Sequence, residues 1–262
     1  MLSKCLQSIL NNDYPKTYYE IIVVDNNSTD GTRNVARCYP FVRLVLEISK
    51  GAYRARNKGI MLARGEILLF TDSDCVVARN WLRAFDREFE EGVDAVQGTS
   101  NLSFEQGIWA RLECVRSKLY GAQQVDTKNF AVRREIFHDI GLFDEDMENG
   151  ADTEFGMRLH RNAKVLKRSA NPKLFHQWPR ELRKLIFKMR AYANGDCLLY
   201  RRHAFWSPAG KAIKTLALPY TVLKQTLLAK ELNSLEKILY ILYKVVCSLM
   251  REYYFYSKIY RY

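Results

Sequence analysis

No long hydrophobic run occurs in this sequence. A membrane-spanning helix needs about 18 consecutive apolar residues with few charges. The most apolar stretch, between Lys237 and Arg251, is interrupted by Lys244. Residues 1–10 are too short and too polar for a signal peptide. We therefore expect neither a transmembrane anchor nor export.

Several common ligand-binding motifs are missing as well. The six cysteines, at positions 5, 38, 75, 114, 197 and 247, form no CxxC pair and no zinc-ligand spacing. We expect them to be core thiols in a reducing compartment. No GxGxxG follows a predicted strand and no GxxxxGK[ST] occurs, which argues against dinucleotide-binding and P-loop folds.

Acidic residues are scarce in one part of the chain. Residues 161–262 contain 21 Lys and Arg but only 5 Asp and Glu, a net charge of +16, whereas residues 1–160 contain 20 and 24, a net charge of −4. Such asymmetry indicates an acidic partner for this part of the chain. The charge alone does not decide whether that partner is a phosphate-bearing substrate, a nucleic acid or an anionic membrane. The nucleic-acid hypothesis is the weakest, because no recognised binding motif accompanies the charge.

Short apolar runs alternate with helix-period segments through the first two thirds of the chain. Strands are predicted at 21–24, 41–46, 67–70 and 93–98, and helices at 55–63, 80–91 and 104–120. This alternation predicts an α/β fold with a mainly parallel mixed sheet flanked by helices, followed by a C-terminal helical extension. Ligands of such sheets bind at the carboxyl ends of the strands.

Carboxylates follow two of these strands. Asp25 ends the first run, where it suits either a nucleoside contact or an ordinary turn before a helix. Asp72-Ser73-Asp74 follows the run at 67–70, and two carboxylates beside a buried strand need a cation or hydrogen-bond donors to compensate them. Oxygen ligands suit Mg²⁺ or Mn²⁺, although a solvated acidic turn is the alternative.

Two later residues complete the set of candidates. Asp152 starts a helix whose core face contains Phe155, Gly156 and Leu159, so its carboxylate suits a helix cap or a general base. His176 ends the short apolar run 174–175, where an imidazole at another strand end is able to complete a metal site or simply to pack in the core.

Taken in order, four segments resemble the family 2 glycosyltransferases, nucleotide-sugar enzymes of the GT-A fold. The segments are EIIVVDNNSTDGT at 20–32, ARNKGIMLARGEILLFTDSD at 55–74, NFAVRREIFHDIGLFDE at 129–145 and GADTEFGMRL at 150–159. Together they span most of residues 1–200. Four motifs in a fixed order are far more specific than any one of them.

The resemblance implies a role for each candidate. Asp25 contacts the nucleoside, Asp72 faces the ribose, and Asp74 holds the metal. Asp152 matches the general base, and His176 matches a histidine near the metal and the diphosphate. Beyond what the resemblance implies, we expect Arg56 and Ser73 in the nucleotide-sugar site. We also expect three residues to contact the acceptor or the diphosphate: Asn129, Trp178 and Arg180.

Three features depart from the family pattern, and two of them, the altered acidic pair and the missing first strand, lead to a second hypothesis. The acidic pair that contains the base is Ala151-Asp152 here, and the QxxRW pattern of processive synthases is absent, which favours a non-processive enzyme. The family's first strand is also missing, since the chain opens in the following helix. The second hypothesis is therefore a non-catalytic glycosyltransferase-like scaffold or a truncated fragment.

The favoured hypothesis is an inverting, metal-dependent glycosyltransferase. It would move a sugar from a UDP- or GDP-sugar to the hydroxyl of a saccharide or lipid-linked acceptor, with Mn²⁺ or Mg²⁺ as cofactor. We predict a GT-A domain at 1–205 and a basic amphipathic helical tail at 206–262. Lys and Arg beside Leu, Ile and Tyr in that tail suit the face of an anionic membrane, so we expect a peripheral protein on the cytoplasmic side. A helical subdomain packed on the sheet, or a homo-oligomer interface, is the alternative.

Overall fold

The structure is a computed structural model that describes residues 1–102, 124–176, 182–203 and 234–259. The chain divides into two units, of which the first contains Met1–Ser103, Gly121–Asp146 and Ala151–Gln177. The second contains Phe104–Tyr120, Met147–Gly150 and Trp178–Tyr262. The predicted domain boundary at residue 205 falls inside the second unit. It stays a prediction about domains, since a compact unit need not fold separately.

A two-stranded parallel sheet occupies the start of the first unit. Its strands are β1, Ile21–Asp25, and β2, Val42–Leu46, with Ile21 opposite Val42 and Asp25 opposite Leu46. Helix α1, Leu2–Leu10, precedes them, and helix α2, Thr32–Arg37, connects them. The β-branched run of β1 favours a strand, and the crossover through a helix is what a parallel pair requires. Both predicted strands are confirmed.

A five-stranded sheet forms the rest of the framework of the first unit. Its strands are β3, Ile67–Phe70; β4, Cys75–Val77; β5, Ala95–Leu102; β6, Phe130–Arg133; and β7, Leu166–His176. They lie in the order β3-β6-β5-β7-β4. Only the β5–β7 pairing is parallel, whereas β3–β6, β5–β6 and β4–β7 are antiparallel.

The sheet is mixed, as predicted, but it is not mainly parallel, because three of its four pairings are antiparallel. The strands that sequence reasoning missed are the ones that form the antiparallel pairs. β4 and β6 have three and four residues, too few for a period-2 pattern to be distinguished from a loop. Most of β7 was missed because polar residues and Pro172 interrupt its pattern, and only its end at 174–175 was predicted.

Four further helices complete the described part of the first unit. They are α3, Ala52–Leu62; α4, Trp81–Asp86; α5, Ile136–Ile140; and α6, Ala151–Arg161. The helix predicted at 80–91 is shorter than expected. The chain turns at Gly92, where φ is +78°, and Glu88 is drawn inward by hydrogen bonds from Ser169 and Asn171. The helix predicted at 104–120 lies outside the described residues.

Two clusters of buried side chains hold the first unit together. In one of them, Leu6 of α1 and Trp81 of α4 pack with side chains of both sheets. The other is aromatic: the Phe155 ring of α6 lies 4.9 Å from that of Phe143 and 5.0 Å from that of Phe137. The Phe143 ring in turn lies 5.7 Å from that of Tyr53 on α3. These contacts fix the start of α6 beside α3 and β3, because aromatic pairs add specific geometry to buried area.

Apart from the short segment Met147–Gly150, the described part of the second unit is helical. Helix α7, Leu182–His203, packs against helix α8, Ser234–Ile259. Buried residues at this contact include Ala193 and Cys197 of α7 and Phe255 of α8. A Cβ at Gly195 would lie 2.5 Å from the carbonyl oxygen of Asn149, so glycine is required where α7 meets the segment Met147–Gly150.

One side of α8 is exposed and apolar. Residues at helical spacing that are more than half exposed are Ile238, Leu242, Val246, Leu249 and Tyr253. Among the described residues, no helix is both long enough and apolar enough to cross a membrane. The predicted contact of the basic C-terminal helices with an anionic membrane stays a prediction.

The cysteines are only in part the core thiols that the sequence predicts. Cys5, Cys75 and Cys197 are buried, but Cys38 is exposed because it follows the last turn of α2 at the surface. Burial, and secondly the negative charges of Asp74 and Asp72, raise the pKa of Cys5 to about 12. The pKa of Cys75 is raised by the same causes.

We expect alkylation of the native chain by iodoacetamide to separate these thiols. Cys38 should react at least about tenfold faster than Cys5 and Cys75, because the thiolate is the reactive form and both burial and a raised pKa deplete it. Peptide mass spectrometry over a time course measures each rate. Equal rates at Cys38 and Cys75 in the native protein would contradict the described packing, and the unfolded chain, where all sites should react alike, is the control.

Candidate active site

The carboxylate of Asp25 is placed at the carboxyl end of β1 and is 3% exposed. Its Oδ2 accepts hydrogen bonds from Nε of Arg33 at 2.7 Å and from the backbone N–H of Ser28 at 3.3 Å. Burial alone raises the pKa of Asp25, but these hydrogen bonds outweigh burial and hold the pKa below its ordinary value. In the described structure its Oδ1 has no hydrogen-bond partner. An ionised carboxylate therefore keeps one buried acceptor atom available for a ligand.

Asp72 follows β3 and is paired with Arg56 of α3. Nη2 of Arg56 donates to Oδ1 of Asp72 at 2.7 Å, and the guanidinium lies over the ring of Tyr53 at 5.1 Å. Although burial lowers the pKa of Arg56, the charges of Asp72, Tyr53 and Asp152 outweigh it and raise the pKa. Arg56 thus sits within electrostatic reach of the carboxylates after β3 and at the start of α6.

Asp74 and His176 come together because β4 pairs with β7. Cys75, the residue after Asp74, lies directly opposite His176 in the antiparallel register. Oδ2 of Asp74 lies 3.3 Å from Nε2 of His176, and the histidine is 5% exposed. Two ligands of one divalent ion, each about 2.0–2.2 Å from it, stand about 3 Å apart. This spacing fits two ligands of one divalent metal.

Asp152 lies in the first turn of α6, where its side chain is partly buried. Burial, and next the carboxylate of Asp126, raise the pKa of Asp152 above its ordinary value, and Arg56 opposes them. The hydroxyl of Tyr53 faces the Asp152 carboxylate, whose charge, after burial, raises the pKa of Tyr53. A carboxylate with a raised pKa in a cleft is a candidate general base.

Glu154 is the other acidic residue in the first turn of α6, and it is already engaged. Both of its carboxylate oxygens accept hydrogen bonds from Nε of Arg158, at 3.0 and 2.9 Å. Arg158 also donates to the carbonyl oxygens of Gly141 and Leu142, at 3.0 and 2.7 Å. Glu154 therefore clamps the end of α5 to α6, which leaves Asp152 as the candidate base on this helix.

A short 3₁₀ turn, Thr127–Asn129, completes the cluster. Lys128 makes an ion pair with Asp126 just before it. Although burial raises the pKa of Asp126, Lys128 outweighs that effect and lowers it. The charge of Asp126 acts on both Asp152 and His176. Asp126 and Lys128 were missed because no pattern in the sequence marks the short turn that holds them, and Tyr53 because it is indistinguishable from an ordinary core residue.

Asn129 is fully buried and its amide group is used by the fold. Its Oδ1 accepts from Nε1 of Trp81 at 2.7 Å, and its Nδ2 donates to the carbonyl oxygens of Thr99 and Pro172, both at 2.9 Å. Its predicted contact with an acceptor or a diphosphate stays a prediction, and the geometry favours a role in holding the turn. Gln97 holds the same turn through hydrogen bonds with Asp126 and Asn129.

The remaining predicted residues are placed as follows. Ser73 is exposed between the two aspartates. Trp178 and Arg180 lie outside the described residues. Asp25 belongs to the other sheet, and no described contact joins it to the cluster. Asp72, Asp74, Asp152 and His176 form one cluster in the first unit, connected through Arg56 and Asp126.

Comparison with a family model identifies the class. The model of Glycosyl transferase family 2 matches residues 1–148, more than half of the chain, and the protein belongs to this family. The chain is 33% identical over 170 residues to glycosyltransferase AglE of Haloferax volcanii, an alignment that covers 60% of this chain and 56% of AglE. It is 26% identical over 196 residues to poly(ribitol-phosphate) beta-N-acetylglucosaminyltransferase TarS of Staphylococcus aureus, covering 69% of this chain and 34% of TarS. The chain thus matches about half or less of the length of these relatives.

Solved structures show the fold. The chain is similar to mannosyltransferase PcManGT from Pyrobaculum calidifontis in complex with GDP-Man and Mn²⁺, with a TM-score of 0.65 and 21% identity, over 98% of this chain and 82% of that one. It is also similar to S. aureus TarS 1–349 in complex with UDP-GlcNAc, with a TM-score of 0.57 and 17% identity, over 97% and 87% of the two chains. The fold is therefore the α/β fold of the GT-A glycosyltransferases.

The packing beneath the 3₁₀ turn gives a testable prediction. A Cβ at position 98 would lie 2.5 Å from Nδ2 of Asn129 and 2.7 Å from the carbonyl oxygen of Pro172. Gly98→Ala should therefore lower the free energy of unfolding by about 1–3 kcal/mol, measured by urea denaturation. Gly65→Ala is the matched control, since its Cβ meets only the carbonyl oxygen of Ile67 at 3.4 Å, and its effect should stay within about 0.5 kcal/mol. Equal stability of the two variants would contradict this packing.

Proposed function

We propose that the protein is an inverting glycosyltransferase that uses a divalent metal, Mn²⁺ or Mg²⁺, to move a sugar from a UDP- or GDP-sugar to a hydroxyl group of a saccharide or lipid-linked acceptor. The observation that carries the proposal is a set of site residues within one unit: Asp72 pairs with Arg56, Asp74 contacts His176, and Asp152 interacts electrostatically with Arg56. The presence of GDP-Man with Mn²⁺ and of UDP-GlcNAc in the similar structures supports a nucleotide-sugar donor.

The residues proposed to bind the nucleotide-sugar donor lie at the ends of strands. Asp25 is proposed to accept a hydrogen bond from the nucleoside through Oδ1, its buried and unused oxygen atom. Asp72, held by Arg56, is proposed to face the ribose, and its carboxylate keeps an oxygen that the arginine does not engage. Asp74 and His176 would hold the metal, which supplies neutralisation of the departing diphosphate.

The acceptor side is assigned to Asp152. Its carboxylate would take the proton from the acceptor hydroxyl while that oxygen attacks the anomeric carbon from the side opposite the nucleotide, which inverts the configuration. Tyr53 and Arg56 of α3 interact electrostatically with this carboxylate, and burial raises its pKa, so it is a stronger base than an exposed aspartate. General-base action of this kind contributes about 10²- to 10⁴-fold in rate.

Metal-dependent nucleotide binding is the first test. Titration of the full chain with UDP and with GDP should give tighter binding with Mn²⁺ than without it for at least one nucleotide. In Asp74→Asn the Mn²⁺-dependent increase in nucleotide affinity should be at least about tenfold smaller, because the loss of residues that only support metal ligands already lowers metal affinity about 10- to 100-fold. The control is Asp139→Asn, an exposed carboxylate that pairs with Lys164 on the surface. Binding that ignores the metal, or an equal loss in both variants, would reject the proposal.

Asp152→Asn is the second test, and it separates a catalyst from the scaffold hypothesis. With a panel of nucleotide sugars, transfer or slow donor hydrolysis by this variant should fall by about 10²- to 10⁴-fold, while Mn²⁺-dependent nucleotide binding persists. In the native chain the rate should fall as pH decreases through the pKa of Asp152, because the base must be ionised, and this acidic limb should disappear in the variant. Undiminished turnover in Asp152→Asn would remove Asp152 from the mechanism, and nucleotide binding without any turnover would favour a scaffold.

A further inference from the structure

A third potential ligand stands beside the two metal-binding residues. Cys75 is 1% exposed and follows Asp74 directly in the chain, at the start of β4. Because Cys75 and His176 are opposite partners in an antiparallel pair, their side chains lie on the same face of the sheet. The register that brings the imidazole to Asp74 therefore brings the thiol there too.

The three side chains lie close enough together to share one ion. Sγ of Cys75 lies 3.8 Å from Oδ1 of Asp74, and Oδ2 of Asp74 lies 3.3 Å from Nε2 of His176. One ligand atom from each of the three residues can be chosen so that all lie within 4.8 Å of one another. A tetrahedral zinc ion, with a sulfur ligand at about 2.3 Å and nitrogen and oxygen ligands at about 2.0–2.2 Å, needs ligand atoms about 3–4 Å apart.

We propose that Cys75 is a thiolate ligand of the metal site, so that the site prefers a thiophilic divalent ion such as Zn²⁺ or Co²⁺ over Mg²⁺. Three protein ligands of types S, N and O leave the fourth tetrahedral position for a diphosphate oxygen or water. On binding, the Cys75 S–H bond breaks, the Sγ–metal bond forms with the sulfur electron pair, and one proton passes to solvent. No oxidant or reductant is required.

The proposal rests on the proposed function only for the position of the ion. A hard-ligand site would consist of Asp74, His176 and substrate oxygens, with Cys75 left as a thiol packed in the core cluster to which it also belongs. The two arrangements differ in whether sulfur is bonded to the metal. Spectroscopy of the metal-loaded protein detects that bond, and the measurement does not require sugar transfer.

X-ray absorption spectroscopy of the full chain loaded with one equivalent of Zn²⁺ gives the direct test. The expected result is one sulfur neighbour at about 2.3 Å together with nitrogen or oxygen neighbours at about 2.0–2.2 Å. A first shell of nitrogen and oxygen alone overturns the proposal. This measurement uses the unaltered protein, so it does not depend on whether a variant folds.

Substitution then identifies the sulfur. With Co²⁺ in place of Zn²⁺, the native chain should show a sulfur-to-cobalt charge-transfer band in the near ultraviolet, and Cys75→Ser should lose it. Cys5→Ser is the matched control: Cys5 is equally buried and its Sγ lies 3.5 Å from the carbonyl oxygen of Asp72, but it is outside the three-residue group. Retention of the band in Cys75→Ser, or its loss in Cys5→Ser, overturns the assignment.

Failure of this inference is distinguishable from failure of the proposed function. Mn²⁺-dependent nucleotide binding by the native chain together with a sulfur-free zinc shell rejects the thiolate and leaves the glycosyltransferase proposal intact. A sulfur-containing zinc shell in a chain that binds no nucleotide supports the ligand assignment and rejects the function.

Discussion

The site depends on compensation of buried negative charge by Arg56. Removing a carboxylate from water without a partner is costly, and the partly buried Asp72 and Asp152 interact with the same guanidinium from different elements. The guanidinium donates to Asp72 at 2.7 Å and acts electrostatically on Asp152. Because Arg56 is carried by α3, that helix fixes the separation between the donor side and the acceptor side of the candidate active site.

Hydrogen bonds between uncharged groups hold the 3₁₀ turn Thr127–Asn129 in place. The buried amides of Gln97 and Asn129 bind the backbone on both sides of the 3₁₀ turn and so place Asp126 and Lys128 beside Asp152. The aromatic contacts of Phe155 anchor the helix that begins with Asp152. Through these hydrogen bonds Gln97 and Asn129 shape the site by holding the turn in place.

The elements that sequence reasoning identified share a strong local pattern. β1 and β3 are short, continuous apolar runs, and the aspartates that follow them are visible as charges placed where a sheet presents its ligands. β4, β6 and most of β7 lack such a pattern, so their antiparallel pairing depends on contacts between residues far apart in the chain. The meeting of Asp74 with His176 follows from that pairing; the sequence offered it as one of two readings of His176, and the family resemblance favoured it. Tyr53, Asp126 and Lys128 became site residues only when the fold brought them together.

The central claim is that strand ends and a helix start distant in sequence surround one divalent ion. Anomalous diffraction at the manganese absorption edge, from crystals of the chain grown with Mn²⁺ and UDP, tests it most directly. The account predicts one strong peak within bonding distance of the Asp74 carboxylate and the His176 imidazole, with the Asp152 carboxylate in the same cleft. A peak bonded to neither Asp74 nor His176, or a nucleotide bound away from Asp25 and Asp72, would contradict it.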